Sequence, residues 1–352
     1  MSNALNLQGA RLGIALIGFG YWGPNLARNA SSCDSTNLIV ICELSESRRH
    51  AARKLYPNVK IVDSLDLVIT DPQVDAVMIA TPVATHFQIA KSCLNAKKHI
   101  FVEKPLCSSV GDANELVHLA KLNDVLIHVD HTFLYTSAVE EMKQYVESGM
   151  LGDLLYFDSV RVNLGIFQSD VDVMWDLAVH DLAILRYVTD RKPITVSATG
   201  TSHPNSKQIS AAFMTLVYDD LFVAHIHVSW MSPVKIRRTI LSGSRKMLVY
   251  DDLETNEKIK IYDSAVEFSG GPEELRELLV SYRIGDMISP RLRDQEALQS
   301  SLVDFSHSIQ SGRETRTAGN FGLEAVAMLE AATQSLKLGG SPVKIGYDNR
   351  DR

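Results

Sequence analysis

Hydrophobic and polar positions follow two different patterns along this chain. Up to about residue 130, short apolar runs alternate with amphipathic stretches of helical spacing, which is typical of parallel strands joined by helices. The predicted strands are 12–17, 38–42, 59–61, 74–80, 98–102 and 125–129, and the predicted helices are 22–33, 46–55, 85–96 and 109–122. This order predicts an α/β fold with a doubly wound parallel sheet of the kind that binds nucleotides.

Beyond about residue 135 the pattern changes to longer segments in which apolar and polar residues alternate. After a helix at 137–148, the predicted strands are 154–164, 194–200, 211–219, 221–230, 236–242, 246–251 and 258–263. Two helices at 295–311 and 320–337 and a short segment at 342–346 follow. We therefore expect a second, α+β domain with a large, mainly antiparallel sheet, and a boundary that separates residues 1–132 from 133–352.

Composition and charge narrow the classes of function. The chain has 352 residues, is 45% hydrophobic, and carries a net charge of −7, which argues against general binding to nucleic acids or membrane surfaces. It has neither an apolar run long enough to span a bilayer nor the start of a signal peptide, so we expect a cytoplasmic location. The four cysteines lack metal-ligand spacing, and we predict no metal site.

A glycine-rich motif follows the first predicted strand and opens the first predicted helix. Gly18 permits a tight turn, Gly20 lets the backbone approach a pyrophosphate, and Gly23 allows close contact between helix and strand. Phe19 and Trp22 belong to the same loop. In this context the motif predicts a dinucleotide-binding site rather than a turn shaped by glycines alone.

Glu43 ends the second predicted strand, 20 residues after Gly23. An acid at this point can bind the hydroxyls of the adenosine ribose, so NAD is preferred to NADP. Arg48 and Arg49 could meet a 2′-phosphate if Glu43 turned away, and otherwise they form a solvated helix start.

Two more strand ends carry candidate residues. Thr81 and Pro82 form a short rigid turn after the fourth strand and should flank the nicotinamide, while His86 is either a cofactor contact or a packing residue. The fifth strand ends in Glu103 and Lys104, followed by proline, and the carboxyl end of a strand is where such a sheet places its chemistry. A surface ion pair, which contributes little stability, is the alternative. It is disfavoured because a proline-terminated strand end is a costly place to fix flexible charged side chains that have no use.

Asp176 and His180 interrupt a mostly apolar helix four residues apart, so they share a face. A lone histidine in such a helix is more often a packed core residue than a catalyst. A carboxylate beside the imidazole fixes its tautomer and supports its protonated form, which favours His180 as a general base. Asp181 points elsewhere and is expected to be a structural acceptor.

Four motifs of this chain resemble the set found, in this order, in the Gfo/Idh/MocA oxidoreductases. They are the glycine motif, the Ala-Thr-Pro turn with its histidine, the Phe-Val-Glu-Lys-Pro strand end and the Asp-x-x-x-His helix. The resemblance covers nearly the whole chain. It implies that residues 1–132 form a Rossmann domain and that 133–352 form a domain for substrate binding and oligomerisation, with C-terminal helices that can pack back on the first domain. It also implies catalytic roles for Lys104 and His180, a supporting role for Asp176, and a homo-oligomer, either a dimer or a tetramer.

Further segments resemble the branch that contains UDP-N-acetylglucosamine and UDP-N-acetylglucosaminuronate 3-dehydrogenases; they are Gly20–Leu26, His131–Tyr135, Val160–Gly165 and Val249–Leu253. This implies a hydride transfer between NAD and C3 of a nucleotide-linked sugar, in surface-polysaccharide or glycoside biosynthesis. His180 would accept the hydroxyl proton, Lys104 would stabilise the developing alkoxide, and Glu103 would position Lys104 or the nicotinamide ribose.

Several alternatives stay open at this point. Arg161 and Asn163 share a strand face and are either substrate contacts or exposed strand residues, while Lys235, Arg237, Arg238 and Arg283 are either a diphosphate site or unpaired surface charge. The substrate could also be a dTDP-keto sugar reduced at C3 or a polyol. A non-catalytic dinucleotide-sensing regulator is the alternative of another class, although the joint presence of Lys104, Asp176 and His180 favours an enzyme.

Overall fold

The computed structural model describes residues 11–165, 167–168, 170–268 and 280–347, and for residues 264–268 and 280–284 it describes the backbone only. The chain divides into two compact units. The first takes the chain up to Tyr135 together with Glu296–Glu330, and the second takes Thr136–Gln295 together with Ala331–Ile345. Within the described ranges, no helix is long and apolar enough to cross a membrane.

The first unit contains a six-stranded parallel sheet. Its strands are β1 (Leu12–Ile17), β2 (Thr36–Cys42), β3 (Lys60–Val62), β4 (Ala76–Ile79), β5 (His99–Glu103) and β6 (Ile127–Asp130). They lie in the order β3-β2-β1-β4-β5-β6. The helices of this unit are α1 (Gly23–Ser32), α2 (Glu46–Leu55), α3 (Asp66–Ile69), α4 (Val83–Asn95), α5 (Val110–Asn123), α8 (Ala297–Ser311) and the part of α9 (Gly319–Lys337) up to Glu330. The predicted doubly wound sheet is confirmed.

The sequence of these strands explains their burial. Every residue of β1 and β4 is buried, as expected for parallel strands that are covered on both faces. Phe101 of β5 packs edge-on against Phe305 of α8, with ring centroids 5.7 Å apart. The central strands β1, β4 and β5 are neighbours, so the residues that follow them lie along one edge of the sheet.

The second unit contains a nine-stranded sheet in the order β14-β13-β12-β11-β7-β10-β9-β8-β15. Its strands are β7 (Leu154–Leu164), β8 (Thr195–Ser202), β9 (Ile209–Val217), β10 (Val223–Ser229), β11 (Met231–Gly243), β12 (Met247–Asp251), β13 (Ile259–Phe268), β14 (Val280–Ile288) and β15 (Val343–Lys344). Only the β7–β10 pair among these neighbours is parallel within the described residues. The expected mainly antiparallel sheet is confirmed. The helices α6 (Ser137–Glu147) and α7 (Val179–Thr189) belong to the same unit.

The short α-helix α3 and the strand β14 were absent from the sequence prediction. Helix α3 has only four residues, too few to show a helical period. Strand β14 contains a central glycine and charged residues, which hide the alternation that marks a strand.

Candidate active site

The glycine loop has the geometry that a dinucleotide needs. A Cβ on Gly18 would lie 2.5 Å from the carbonyl oxygen of Ala80, and one on Gly23 would lie 2.2 Å from the carbonyl oxygen of Gly18. Gly18 also has a φ of +94°, which favours glycine. At Gly20 the nearest atom is Nη1 of the flexible Arg48 side chain, at 3.4 Å. Gly18 and Gly23 therefore allow close backbone packing, whereas Gly20 leaves room for a phosphate.

The two aromatic residues of this loop differ in exposure. Phe19 is buried and packs edge-on against Tyr56, with ring centroids 6.2 Å apart. Trp22 is 37% exposed and occupies the position just before α1. Of the two side chains, Trp22 is thus the one that a ligand can reach, while Phe19 presents its backbone.

Glu43 follows β2 and turns its carboxylate toward the glycine loop. Its Oε2 accepts a hydrogen bond from the Phe19 N–H at 2.7 Å, and its Oε1 accepts one from the Ser45 N–H at 2.8 Å. The Arg48 guanidinium lies 3.8 Å from the same Oε2, so two backbone donors and one cation surround this side chain. A fixed acceptor here suits the hydroxyls of a ribose and opposes a 2′-phosphate.

Arg49 is engaged within the protein. Its Nη1 donates to the carbonyl oxygens of Glu43 at 2.8 Å and Leu44 at 2.7 Å, and its guanidinium pairs with Glu46. Of the two arginines considered for a 2′-phosphate, only Arg48 is largely exposed, with 57% of its side chain accessible. The geometry thus favours NAD over NADP.

His86 joins two turns at the edge of the parallel sheet. Its Nδ1 lies 2.9 Å from the carbonyl oxygen of Pro105, and its Nε2 lies 2.9 Å from the carbonyl oxygen of Thr81. The ring is buried, with 1% exposed. These contacts give His86 a structural role in holding the Thr81–Pro82 turn against the turn after β5, and a direct contact with a cofactor stays a prediction.

Glu103 and Lys104 lie where β5 ends, next to Asp130 at the end of β6. The Lys104–Pro105 peptide bond is cis. Burial and the neighbouring Asp130 raise the pKa of Glu103 well above its ordinary value, although the Lys104 ammonium opposes this shift. Burial raises the pKa of Asp130 to about 6, again against the effect of Lys104. Lys104 is thus a cation beside two acids, of which Asp130 is buried and Glu103 is partly buried.

His131 completes this group and was not predicted as a site residue. It is 1% exposed, and neither ring nitrogen has a hydrogen-bond partner among the described residues. Burial, helped by the Lys104 charge, lowers the pKa of His131 to about 3, so the ring is neutral. The sequence did carry a signal for this edge of the sheet. Two polar residues, Asp130 and His131, follow the predicted strand 125–129.

Asp176 and His180 lie in the second unit, around a change of helix type. Met174–Ala178 form a π-helical turn, and α7 begins at Val179. Asp176 Oδ2 accepts a hydrogen bond from the Trp230 indole N–H at 3.0 Å. Widened turns of this kind recur at functional sites. Trp230 was not predicted as part of the site, and it fixes the carboxylate of Asp176.

Trp230 itself depends on a glycine. A Cβ on Gly165 would lie 2.6 Å from Cδ1 of the Trp230 ring, and the Gly165 N–H donates to the Trp230 carbonyl oxygen at 3.0 Å. The indole is 1% exposed. Gly165 belongs to one of the segments that carried the finer resemblance, and the structure gives it a packing reason.

Arg161 is buried in a two-pronged ion pair with Asp181. Its Nε lies 2.9 Å from Oδ2 and its Nη2 lies 3.0 Å from Oδ1, and Ser159 Oγ donates to the same carboxylate at 2.9 Å. Asp181 is therefore the structural acceptor that its position predicted. Asn163, two residues further along β7, is partly exposed. Substrate contacts from Arg161 and Asn163 stay predictions, and the geometry favours Asn163.

The basic residues of β11 have acidic neighbours. Arg237 Nη1 lies 3.2 Å from Asp252 Oδ2. Lys235 and Arg238 line a surface cavity of about 320 Å³ together with Asp251, Leu253 and Glu254. The two carboxylates oppose a diphosphate at this place. The side chain of Arg283 lies outside the described residues.

Comparisons with known proteins agree with this geometry. The chain is 29% identical to the myo-inositol 2-dehydrogenase of Thermotoga maritima, covering 92% of this chain and 96% of that protein. It is 26% identical to the UDP-N-acetylglucosamine 3-dehydrogenase of Acidithiobacillus ferrooxidans, covering 75% of this chain and 79% of that protein. A solved oxidoreductase from Agrobacterium radiobacter, in complex with NAD+, L-tartaric acid and magnesium, has the same fold, with a TM-score of 0.77, 21% identity, and coverage of 96% and 99%.

Two models of one protein family match the chain in sequence order. The model described as an oxidoreductase family with an NAD-binding Rossmann fold matches residues 12–131, and the model of the GFO/IDH/MocA C-terminal domain matches residues 139–249. The glycine loop and Glu43 lie in the first of these regions and fit NAD as cofactor. The chain belongs to the Gfo/Idh/MocA family and is an NAD-binding dehydrogenase that acts on alcohol groups.

Proposed function

We propose that this chain transfers a hydride between NAD and C3 of a nucleotide-linked sugar, UDP-N-acetylglucosamine or its uronate, in surface-polysaccharide or glycoside biosynthesis. The observation that supports the alcohol chemistry is the position of Lys104. This cation lies at the end of β5, at the same edge of the sheet as the glycine loop and Thr81. The choice of sugar is supported by the similarity to a UDP-N-acetylglucosamine 3-dehydrogenase over 75% of the chain.

The residues of the first unit would hold the cofactor and the reacting oxygen. Gly18, Gly20 and Gly23 would receive the pyrophosphate, and Glu43 would bind the adenosine ribose. Bound NAD+ supplies the acceptor for a hydride. The Lys104 ammonium would donate a hydrogen bond to the substrate oxygen and stabilise the negative charge that develops on it.

The residues of the second unit would move the proton. His180 would accept the proton of the hydroxyl, directly or through water, and would return it in the reverse reaction. Asp176 would support the protonated imidazole while the Trp230 N–H holds its carboxylate, at 3.0 Å. The proposal therefore requires Lys104 and His180 to serve one oxygen.

A cyclic polyol is a second candidate substrate. The specific observation in its favour is the similarity to a myo-inositol 2-dehydrogenase, which covers 92% of this chain at 29% identity. The roles of Lys104 and His180 would be the same, because both substrates present a secondary hydroxyl. The candidates differ in the site for the nucleotide, which only the first requires.

A substrate panel separates these candidates. The purified protein is mixed with NAD+ and, in turn, UDP-N-acetylglucosamine, its uronate and myo-inositol, and reduction is followed by the absorbance of the reduced nicotinamide. A dTDP-3-keto sugar with NADH tests the reverse direction. Reduction with a UDP-sugar at least about tenfold faster than with inositol supports the first proposal. NAD+ binding without turnover of any member would favour a non-catalytic sensor.

We also propose that the chain forms a homo-oligomer through its large sheet. Phe213, Val217 and Val223 are each 37 to 45% exposed on the neighbouring strands β9 and β10. Val223 is the register partner of Val217, and Phe213 has the same parity as Val217 along β9, so the three side chains lie on one face of the sheet. Exposed apolar residues grouped on one face often bind another protein surface. Light scattering on the wild type and on Val223→Asp tests this, and a monomeric wild type would contradict it.

A further inference from the structure

Two acidic side chains face each other at the ends of neighbouring parallel strands. Glu103 ends β5, Asp130 ends β6, and the two residues are register partners. One oxygen of each, Glu103 Oε1 and Asp130 Oδ2, is buried and has no hydrogen-bond partner in the described part of the chain. The other oxygen of Asp130, Oδ1, accepts a hydrogen bond from Ser301 Oγ at 3.0 Å.

Two ionised carboxylates are unfavourable in this arrangement, because like charges would face each other and neither Glu103 Oε1 nor Asp130 Oδ2 would have a donor. One proton held between them makes one acid a donor and the other an acceptor, which satisfies both orphaned oxygens. We propose that Glu103 and Asp130 share a single proton, and that this pair, with a net charge of −1, positions the ammonium of Lys104. Asp130 is then a positioning residue, which acts through Lys104.

The surroundings of the pair fit a net charge of −1. The Lys104 backbone N–H donates to Glu103, and its ammonium lowers the pKa of Glu103 and of Asp130. Thr132 also donates to Asp130. His131 also feels the Lys104 charge, and its ring is neutral because burial and that charge lower its pKa to about 3. One cation and one shared negative charge therefore balance at this edge of the sheet.

The orientation of Asp130 is fixed by a chain of buried hydrogen bonds. Ser301 Oγ, which donates to Asp130, lies 2.9 Å from His128 Nε2, and His128 Nδ1 lies 2.5 Å from Thr315 Oγ1. Because Ser301 has one proton and gives it to Asp130, the Nε2 of His128 carries the hydrogen that Ser301 Oγ accepts. His128 is fully buried, with its pKa lowered to about 3, and its ring stacks 4.6 Å from Phe101.

The consequence for the reaction rests on the proposed role of Lys104. With the proton present, the pair and the ammonium sum to zero charge, and the ammonium can stabilise an alkoxide. Loss of the proton would leave an extra negative charge beside the substrate oxygen, which opposes the alkoxide. Asp130→Asn imitates the protonated acid, since its amide N–H can donate to Glu103 while its oxygen accepts from Ser301.

Thermal unfolding between about pH 7 and 8.5 tests the shared proton without any substrate, because Asp130, with a pKa of about 6, takes up no second proton there. The folded pair retains its proton across this range, whereas both acids ionise near pH 4 in the unfolded chain, so wild-type stability falls as the pH rises. Asp130→Asn lacks this loss, so the Tm of the variant minus that of the wild type should grow by roughly 2 °C per pH unit. A difference that does not change with pH would overturn the shared proton.

Asp304→Asn is the matched control. Although burial opposes it, hydrogen bonds from the Arg316 backbone, Arg313 and Tyr135 lower the pKa of Asp304 to about 2. This acid is thus ionised in both the folded and unfolded states above pH 5, and its Tm difference should stay constant.

The pH profile of kcat/KM, with the substrate that the panel identifies, tests the link to Lys104. The wild type should show an alkaline decline, and Asp130→Asn should lose it while it keeps wild-type activity within about threefold near neutral pH. Asp130→Ala should lose about tenfold or more in kcat. Identical alkaline limbs in the wild type and Asp130→Asn would overturn the positioning role. If no alcohol is oxidised, the proposed function fails, while the unfolding result still decides the shared proton.

Discussion

Glu43 and Glu103 lie at the carboxyl ends of two strands in the same parallel sheet, and their side chains have opposite kinds of partner. Glu43 accepts backbone hydrogen bonds from Phe19 at 2.7 Å and from Ser45 at 2.8 Å. Glu103 faces Asp130, and its buried Oε1 has no donor among the described residues. The first glutamate thus has a hydrogen-bond donor on each oxygen, whereas the second faces another acid.

The groups around each carboxyl group, rather than its place in the fold, determine its role. Both residues follow buried apolar strands, so the sequence pattern treats them alike. Two N–H groups make Glu43 a fixed acceptor for a ribose. A neighbouring acid and a lysine make Glu103 part of a charge group at the ends of β5 and β6.

The largest effect should come from removing the cation beside Glu103. Lys104→Ala should lower kcat about 1000-fold, because the developing alkoxide loses its charged donor. The Kd for NAD+ should change by less than about threefold, since Glu43 and the glycine loop remain. Steady-state kinetics and a fluorescence titration with NAD+ measure the two quantities. Wild-type turnover in this variant would contradict the role of Lys104.

Matched amide substitutions test the two glutamates against each other. Glu43→Gln should weaken NAD+ binding about tenfold, because one of the two backbone donors then faces an amide N–H. Glu103→Gln should bind NAD+ within about twofold of the wild type and gain stability relative to it as the pH rises, since the amide replaces the shared proton. The same NAD+ titration and unfolding curves apply to both variants. Equal losses of NAD+ affinity in the two would remove the distinction.

Two glycines of the same loop should separate binding from stability. Gly23→Ala places a Cβ 2.2 Å from a backbone oxygen and should lower the Tm by roughly 4 °C or more. Gly20→Ala meets only the end of the Arg48 side chain and should leave the Tm nearly unchanged while weakening NAD+ binding about fivefold. Calorimetry and the NAD+ titration report these effects. A Gly20→Ala variant with wild-type affinity would argue against the pyrophosphate approach.

The smallest effect concerns Arg48, which lies 3.8 Å from Glu43. Arg48→Ala should increase the preference for NAD+ over NADP+ by about two- to threefold, since it removes the exposed guanidinium that could meet a 2′-phosphate. Paired titrations with the two cofactors measure the ratio. A shift toward NADP+ would mean that Arg48 opposes the phosphate rather than attracting it.

Much of the fold could be predicted because its signals are local. The strands β1 and β7 and the helix α2 begin and end at the predicted residues, since each has a clear period and clear flanking turns. The positions of the glycine loop, Glu43 and Lys104 at strand ends followed from the same patterns. These are properties of short segments, which a sequence displays directly.

The parts that escaped prediction depend on contacts between distant segments. The pairing of Glu103 with Asp130 is a matter of strand register, and the contact between Trp230 and Asp176 joins residues 54 apart. Arg161 looked available for a substrate because its partner Asp181 lies on a helix 20 residues away. The periodicity of a sequence carries no information on contacts between distant segments, because these contacts form only in the folded chain.

The central claim is that Lys104 and His180 act on one substrate oxygen, and a double-mutant comparison of kcat/KM tests it most directly. The rates of Lys104→Ala, His180→Asn and the double variant are compared with that of the wild type on the same substrate. If the two residues act as a unit, the double variant should be slower than the slower single variant by less than about threefold. Losses that multiply fully in the double variant would show that the two residues act independently and would contradict the claim.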